Sequence, residues 1–127
     1  MKVLIDTSAW VEALRRRGHE ATREAVRAAL SEGRAVTCPM VILELWNGAH
    51  GASETRMLRD LEGELEVFDI DDTVWATARD LARACRAAGV TAPATDLLVA
   101  ACAARHSLDL LHHDEHFDAI ARVAARQ

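Results

Sequence analysis

The sequence predicts an α/β fold, a three-layer sandwich in which helices flank a central and mostly parallel sheet. Short apolar runs alternate with longer segments of helical periodicity, and no repeat, low-complexity tract or linker interrupts them. Strands separated by helices favour parallel pairing through right-handed crossovers. With 127 residues, 50% of them hydrophobic, the chain can bury one good core. We therefore expect residues 1–127 to form a single domain.

Four strands are predicted from the short apolar runs, at residues 2–5, 35–38, 66–68 and 108–111. Seven helices are predicted from the remaining periodic segments, at residues 9–17, 20–31, 39–50, 53–64, 72–88, 94–106 and 114–125. Because a helix lies between each strand and the next, the strand pairs are expected to be parallel.

Capping and helix-breaking residues set the helix boundaries. Ser8 can cap the first helix, and Gly33 can end the second because glycine readily adopts the left-handed conformation of a helix stop. Pro39 suits the first turn of the third helix, where its missing N–H donor costs nothing. Gly89 ends the long, alanine-rich fifth helix, and Asp114 opens the last one.

Four carboxylates lie in or beside apolar segments, where an unpaired ionised group is costly to bury. They are Asp6 after the first strand, Glu44 within the third helix, Asp96 in the first turn of the sixth helix and Asp114 after the last strand. Ligands of open parallel sheets bind beyond the carboxyl ends of the strands, where the first and last of these acids are predicted. Bound Mg²⁺ or Mn²⁺ explains all four acids, because these hard cations take oxygen ligands. The pattern indicates phosphodiester cleavage by a metal-activated water.

Each acid also has a purely structural interpretation. Asp6 and Asp114 could cap the helices that follow them, and Asp96 could be favoured by the positive end of its helix dipole. Glu44 fits neither role, because it lies in the middle of an apolar helix without a basic neighbour nearby in sequence. A shared metal site is therefore the interpretation that we prefer.

Four motifs in a set order carry a resemblance that spans nearly the whole chain. They are VLIDTSAW near the amino terminus, ILEL around position 44, ATDLLVAA around position 96 and LLHHDEHFDAIA around position 114. Together they resemble the PIN-domain ribonucleases of the VapC toxin type. The resemblance implies a PIN-like fold and a metal-dependent endoribonuclease that is the toxin of a type II toxin–antitoxin system. It further implies an RNA substrate, a cognate antitoxin and a homodimer.

The resemblance also assigns roles to individual residues. It implies that the catalytic and metal-binding acids are Asp6, Glu44, Asp96 and Asp114, and that Thr7 or Ser8 supports the first of them. The chain departs from the family pattern at His116, where many members carry a second acid two residues beyond the fourth. A second metal site is thus left open. The histidines at 112–116 lack the spacing of a tetrahedral zinc site, and a solvated loop or a contact to substrate phosphate is favoured.

Charge and composition narrow the remaining possibilities. The net charge of −5 argues against a generally basic nucleic-acid surface, although Arg15, Arg16 and Arg17 form a local cluster that could contact RNA phosphates. The three cysteines have no CxxC spacing and are expected to be reduced and structural. The chain shows neither a signal peptide nor an apolar run of about 20 residues, so we expect a cytoplasmic protein without membrane association.

Two other functions stay open. One is a non-catalytic PIN-like module that binds RNA or protein, which a metal-dependent cleavage assay separates from an enzyme. The other is a metal-dependent nuclease that acts on DNA, which a panel of RNA and DNA substrates distinguishes. The chain contains no GxSxG or GxxxxGK[ST] motif, so serine hydrolysis and P-loop phosphoryl transfer have no support.

Overall fold

A parallel four-stranded sheet forms the centre of the molecule in the computed structural model, which describes residues 1–127. Its strands are β1 (Val3–Ile5), β2 (Ala35–Thr37), β3 (Glu66–Val67) and β4 (Asp109–Leu111). They lie in the order β3-β2-β1-β4, and every pair is parallel. Leu4 of β1 lies opposite Val36 on one side and Leu110 on the other. The prediction of a mostly parallel sheet is confirmed.

Seven helices cover the two faces of this sheet. They are α1 (Thr7–Leu14), α2 (Glu20–Ser31), α3 (Pro39–Asn47), α4 (Gly51–Glu64), α5 (Asp72–Ala87), α6 (Ala94–Arg105) and α7 (Glu115–Ala124). α1 contacts α2 and α3, and α3 contacts α4, whereas α5, α6 and α7 contact one another; α3 and α6 also meet each other. The chain moves in one direction along the sheet from β1 to β3 and then returns to β4, so right-handed crossovers place the two groups on opposite faces. The predicted three-layer sandwich is confirmed.

The hydrophobic core is a cluster of 23 buried residues that includes all of β1. Leu4 and Ile5 are completely buried, and Trp10 of α1 and Val99 of α6 are also excluded from solvent. Burying a side chain of this size contributes roughly 1.5–3 kcal/mol, so the end of β1 is firmly fixed. The three cysteines are free and buried, as expected. No helix combines the length and the apolar character that crossing a membrane requires.

The first helix has different ends from those predicted. It begins at Thr7 instead of residue 9, because the side chain of Asp6, and not that of Ser8, caps it. It ends at Leu14 instead of residue 17, since the chain turns back sharply toward α2. Gly18 makes this turn possible, because a Cβ atom there would lie 1.8 Å from the carbonyl oxygen of Glu12. This close approach brings together residues that local sequence signals do not relate.

The junction between the third and fourth helices also differs from the prediction. α3 ends at Asn47, short of residue 50, and α4 begins at Gly51, before residue 53. Gly51 has a φ of 75°, a left-handed conformation that glycine adopts without strain. The Glu54 carboxylate accepts a hydrogen bond from the backbone N–H of His50 and thereby caps α4 early.

Alanine at position 18 tests the close approach at the end of α1. We expect Gly18→Ala to lower the free energy of unfolding by about 1–3 kcal/mol, because the new methyl group overlaps the Glu12 carbonyl. Gly63→Ala is the matched control: no atom lies within 4 Å of its added Cβ inside α4, so it should stabilise the protein by about 0.5–1 kcal/mol. Urea denaturation measures both changes. Equal stability of Gly18→Ala and the parent would contradict the contact.

Candidate functional site

The four predicted acids converge at the carboxyl-terminal edge of the sheet, and we call them the acidic cluster. Its members are Asp6 directly after β1, Glu44 on α3, Asp96 on α6 and Asp114 shortly after β4. Asp6 and Asp96 are buried, with 4% and 9% of their surface exposed, whereas the other two are partly exposed. The charge of Asp6 acts on both Glu44 and Asp96, and the charge of Asp114 acts on Asp96. Residues more than a hundred positions apart therefore share one electrostatic environment.

Ser8 holds the first acid in place. The Asp6 Oδ2 atom accepts hydrogen bonds from the backbone N–H of Ser8 at 2.9 Å and from its hydroxyl at 2.7 Å. The same hydroxyl oxygen accepts the backbone N–H of His113 at 2.9 Å. Ser8 thus connects the end of β1 to the loop that carries Asp114.

Thr7 plays the corresponding role for the helix glutamate. Its hydroxyl donates a hydrogen bond of 3.0 Å to the Glu44 Oε1 atom. Burial raises the pKa of Glu44, and the negative charges of Asp6 and Asp96 raise it further, while the Thr7 hydrogen bond acts in the opposite direction. The carboxylate is therefore held in a defined orientation in surroundings that disfavour its charge.

His116 lies between the other two acids. Asp114 caps α7, since its Oδ1 atom accepts the backbone N–H of His116 at 2.9 Å. The Nδ1 atom of His116 lies 3.0 Å from that same oxygen and 3.1 Å from Asp96 Oδ2. Burial raises the pKa of Asp96, the charges of Asp6 and Asp114 raise it further, and the interaction with His116 opposes the shift.

Each member of the acidic cluster uses one oxygen for a hydrogen bond within the chain and keeps the other without a protein donor. The bonded oxygens are Asp6 Oδ2, Glu44 Oε1, Asp96 Oδ2 and Asp114 Oδ1. No lysine or arginine pairs with the cluster, because their ion pairs lie elsewhere. Several carboxylate oxygens with an uncompensated charge form the donor set that Mg²⁺ and Mn²⁺ prefer. The residues present therefore fit a divalent cation.

Comparison with known proteins gives matches over nearly the whole chain. The PIN domain family model matches residues 3–123. The chain is 39% identical over 129 residues to VapC ribonuclease Mb1587 of Mycobacterium bovis, with 98% of this chain and 96% of the relative covered. This chain is a PIN-domain protein of the VapC family. Ribonuclease VapC21 of Mycobacterium tuberculosis is 28% identical over 106 residues, which cover 81% of this chain and 77% of that relative.

Solved structures share the fold of this PIN-domain protein. VapBC-1 from nontypeable Haemophilus influenzae matches with a TM-score of 0.77 and 20% identity, covering 96% of this chain and 94% of that chain. FitAcB from Neisseria gonorrhoeae matches with a TM-score of 0.73 and 23% identity, covering 94% of this chain and 93% of that chain. The predicted PIN-like fold is confirmed.

Of the three arginines in the predicted basic cluster, only Arg15 borders the groove beside the site. Arg15 follows α1, forms an ion pair of 3.1 Å with Glu12, and borders a groove of about 300 Å³ that Thr7 and Glu44 also line. Arg16 and Arg17 are exposed in the turn that follows, and their side chains make no hydrogen bond or ion pair. Neither of them lines the groove that Arg15 borders.

The histidines of the predicted loop point in three different directions. His112 faces Asp118 at 3.6 Å, and His113 stacks on His19 with ring centroids 4.7 Å apart. His116 alone lies against the acidic cluster. The sequence could indicate that His116 lies beside Asp114, because the second residue after a helix-capping aspartate donates its backbone N–H to that carboxylate. The proximity of Asp96 has no such local signal.

Removing one negative charge from the cluster should stabilise the metal-free protein. The pKa of Glu44 is higher in the folded protein than in the unfolded chain, so its neutral form favours folding. As the pH rises through the folded-state pKa, this contribution to the free energy of unfolding is lost, because the side chain ionises. We expect Glu44→Gln to melt at a higher temperature than the parent in EDTA at pH 7. The difference should vanish below the ordinary carboxyl pKa of 4.5, where both side chains are neutral. Melting curves recorded between pH 4 and pH 8 measure this effect.

The same pair of proteins also tests the affinity of the cluster for cations. Millimolar Mg²⁺ or Mn²⁺ should raise the melting temperature of the parent, because the ion binds the folded state, and should raise that of Glu44→Gln by less. Glu64→Gln is the control, since this exposed glutamate makes no hydrogen bond, and its metal response should equal that of the parent. A parent melting curve that metal leaves unchanged contradicts the cation site.

Proposed function

We propose that this protein is a metal-dependent endoribonuclease that hydrolyses RNA phosphodiester bonds and serves as the toxin of a type II toxin–antitoxin system. The observation that carries the proposal is the acidic cluster: four converging carboxylates, each with one oxygen held by the chain and one without a protein donor. Relatives with 39% identity over nearly the whole chain carry the name VapC ribonuclease, which supports the same reaction. Residues 1–127 constitute one PIN-like domain in this proposal.

The four acids of the cluster serve as the metal-binding and catalytic residues, and the cofactor is Mg²⁺ or Mn²⁺. When bound, such an ion supplies Lewis-acid chemistry that acidifies water and offsets negative charge on the phosphate. Ser8 and Thr7 keep Asp6 and Glu44 in fixed orientations, so little reorganisation accompanies the reaction. The Thr7 hydrogen bond to Oε1 leaves the Oε2 atom of Glu44 free to bind the cation or to orient the attacking water. Attack by water requires no nucleophilic side chain.

Positive charge next to the cluster is positioned to bind the RNA backbone. Arg15 borders the groove beside Thr7 and Glu44, and its guanidinium can contact phosphate oxygens. Arg16 and Arg17 extend this surface along the turn after α1. In this assignment the acids act on the scissile phosphate, and the arginines hold the flanking nucleotides.

The negative charge of the cluster also suits a protein inhibitor. An antitoxin that inserts an arginine or lysine among the four acids would neutralise them and exclude metal and substrate at once. Solved structures with this fold include a toxin–antitoxin complex from Klebsiella pneumoniae and VapBC-5, a member of the VapBC family of toxin–antitoxin systems, from Mycobacterium tuberculosis. A cognate antitoxin, a homodimeric assembly and a cytoplasmic location complete the proposal.

Substitution of single acids tests the catalytic assignment. Asp6→Asn and Asp96→Asn remove one charge each with almost no change in volume, and we expect RNA cleavage to fall about 100-fold or more while the fold is retained. Asp80→Asn, at an exposed position on α5, is the matched control and should keep full activity. Gel assays of a structured RNA measure the cleavage, and circular dichroism verifies the fold.

Two further arms of this assay separate the competing functions. Cleavage by the parent that continues undiminished in EDTA would reject the metal-dependent mechanism. Cleavage of DNA but not of RNA would replace the ribonuclease with a deoxyribonuclease, and absence of cleavage on every substrate would favour a binding module.

Co-expression tests the inhibitor. If the gene adjacent to that of this protein encodes the antitoxin, the co-purified complex should show no ribonuclease activity, and proteolysis of the partner should restore it. The inhibitory basic residue is found by replacing each arginine and lysine of the partner with glutamine. A fully active complex would contradict inhibition at the acidic cluster.

A further inference from the structure

One nitrogen and two oxygen atoms form a compact donor group at one end of the acidic cluster. The Nδ1 atom of His116 lies 3.0 Å from Asp114 Oδ1 and 3.1 Å from Asp96 Oδ2, and suitable ligand atoms of the three residues all lie within 4.8 Å of one another. We propose that His116 is a nitrogen ligand of the cation and makes this site prefer Mn²⁺ over Mg²⁺. The inference rests on the proposed function in that both require a divalent cation at the acidic cluster.

The observed spacing of the donors fits a six-coordinate ion. Two ligands at right angles, each about 2.1 Å from an ion, lie about 3.0 Å apart. Both distances from the His116 nitrogen are close to this value, and they are also the lengths of the N–H···O contacts that it makes without a cation. A cation can therefore replace the Nδ1 hydrogen with little movement of the three donor atoms.

The orientation of the His116 ring is set before any cation binds. Ionised carboxylates can only accept hydrogen bonds, so Nδ1–H donates toward Asp96 and Asp114. The backbone N–H of His116 binds Asp114 as well, which fixes the residue at the start of α7. A cation bound to Nδ1 would take the place of this hydrogen: Nδ1 gives its proton to solvent and Nε2 takes one up, so the ring stays neutral and binds as the other tautomer. Little further ordering of the side chain is needed.

The chemistry of the imidazole explains the expected preference. Mg²⁺ favours sites in which every ligand is oxygen and retains several of its waters. Mn²⁺ also prefers oxygen ligands, but as a first-row transition ion it accepts one nitrogen ligand at a lower cost than Mg²⁺ does. The neighbouring histidines do not compete for this role, because His112 faces Asp118 and His113 stacks on His19. A single nitrogen in an otherwise carboxylate site therefore shifts selectivity toward Mn²⁺.

Electron spin resonance of bound Mn²⁺ tests the ligand directly, without an activity assay. The wild-type protein with Mn²⁺ should show hyperfine coupling to one ¹⁴N nucleus, and His116→Ala should abolish it. His50→Ala is the control and should keep the coupling, because the ring of this exposed histidine makes no hydrogen bond. Titration of free Mn²⁺ should show that His116→Ala weakens Mn²⁺ binding about tenfold or more. Competition with Mg²⁺ should show a change of less than about threefold in Mg²⁺ affinity.

His116→Asp extends the test in the opposite direction. An oxygen ligand at this position should raise Mg²⁺ affinity above that of the parent and eliminate the nitrogen coupling. Absence of coupling in the wild-type protein, or an equal loss of Mn²⁺ and Mg²⁺ affinity in His116→Ala, overturns the inference. If the protein cleaves RNA without nitrogen coupling, the inference fails and the proposed function stands. If coupling is present but no RNA is cleaved with any metal, the proposed function fails and the inference about His116 stands.

Discussion

Electrostatic repulsion among the four carboxylates is the constraint on which the rest of this structure depends. Burial raises the pKa of Glu44 and of Asp96, and the charges of the neighbouring acids raise both values further. No lysine or arginine relieves this repulsion. The protein holds the acids together because each is attached to an element that the core fixes, above all β1, which is buried at every position. Burial of the hydrophobic core thus offsets the free-energy cost of holding the four carboxylates close together.

Capping a helix leaves each of two carboxylates in the cluster with a free oxygen. Asp6 and Asp114 each cap the helix that follows, and each does so with a single oxygen. The second oxygen has no protein donor and remains available to a cation. Hydrogen bonds from Ser8, Thr7 and His116 restrict the acids in the same way. The local interactions that start a helix therefore also orient the site.

His116 distinguishes the acidic cluster of this chain from the family pattern, in which many members carry an acid at this position. An acid at this position would add to the repulsion, whereas the imidazole places a hydrogen-bond donor between Asp96 and Asp114. The ring lowers the energetic cost of the crowded carboxylates and introduces a nitrogen among oxygen donors. One residue thus relieves part of the repulsion within the site.

Local patterns in the sequence were sufficient to predict the helices and strands and to single out the four acids as candidate site residues. Apolar runs separated by helical segments predict a parallel sheet, and Asp6 and Asp114 follow such runs directly, so backbone direction alone places them at the same edge. The end of α1 was not predictable in this way, because it depends on Gly18 lying against the Glu12 carbonyl. The position of Arg16 and Arg17 in a turn, and not in α1, follows from that contact.

Tertiary structure alone decided the finer arrangement of the site. His116 meets Asp96 because α6 and α7 pack together on one face of the sheet, and twenty residues separate the two in sequence. Ser8 bonds the backbone of His113 because β1 and β4 are neighbours. Periodicity and capping are properties of short segments, so the sequence by itself determined which elements form and which acids they carry. Distances between side chains on different elements depend on how the whole core packs, and only the folded chain sets them.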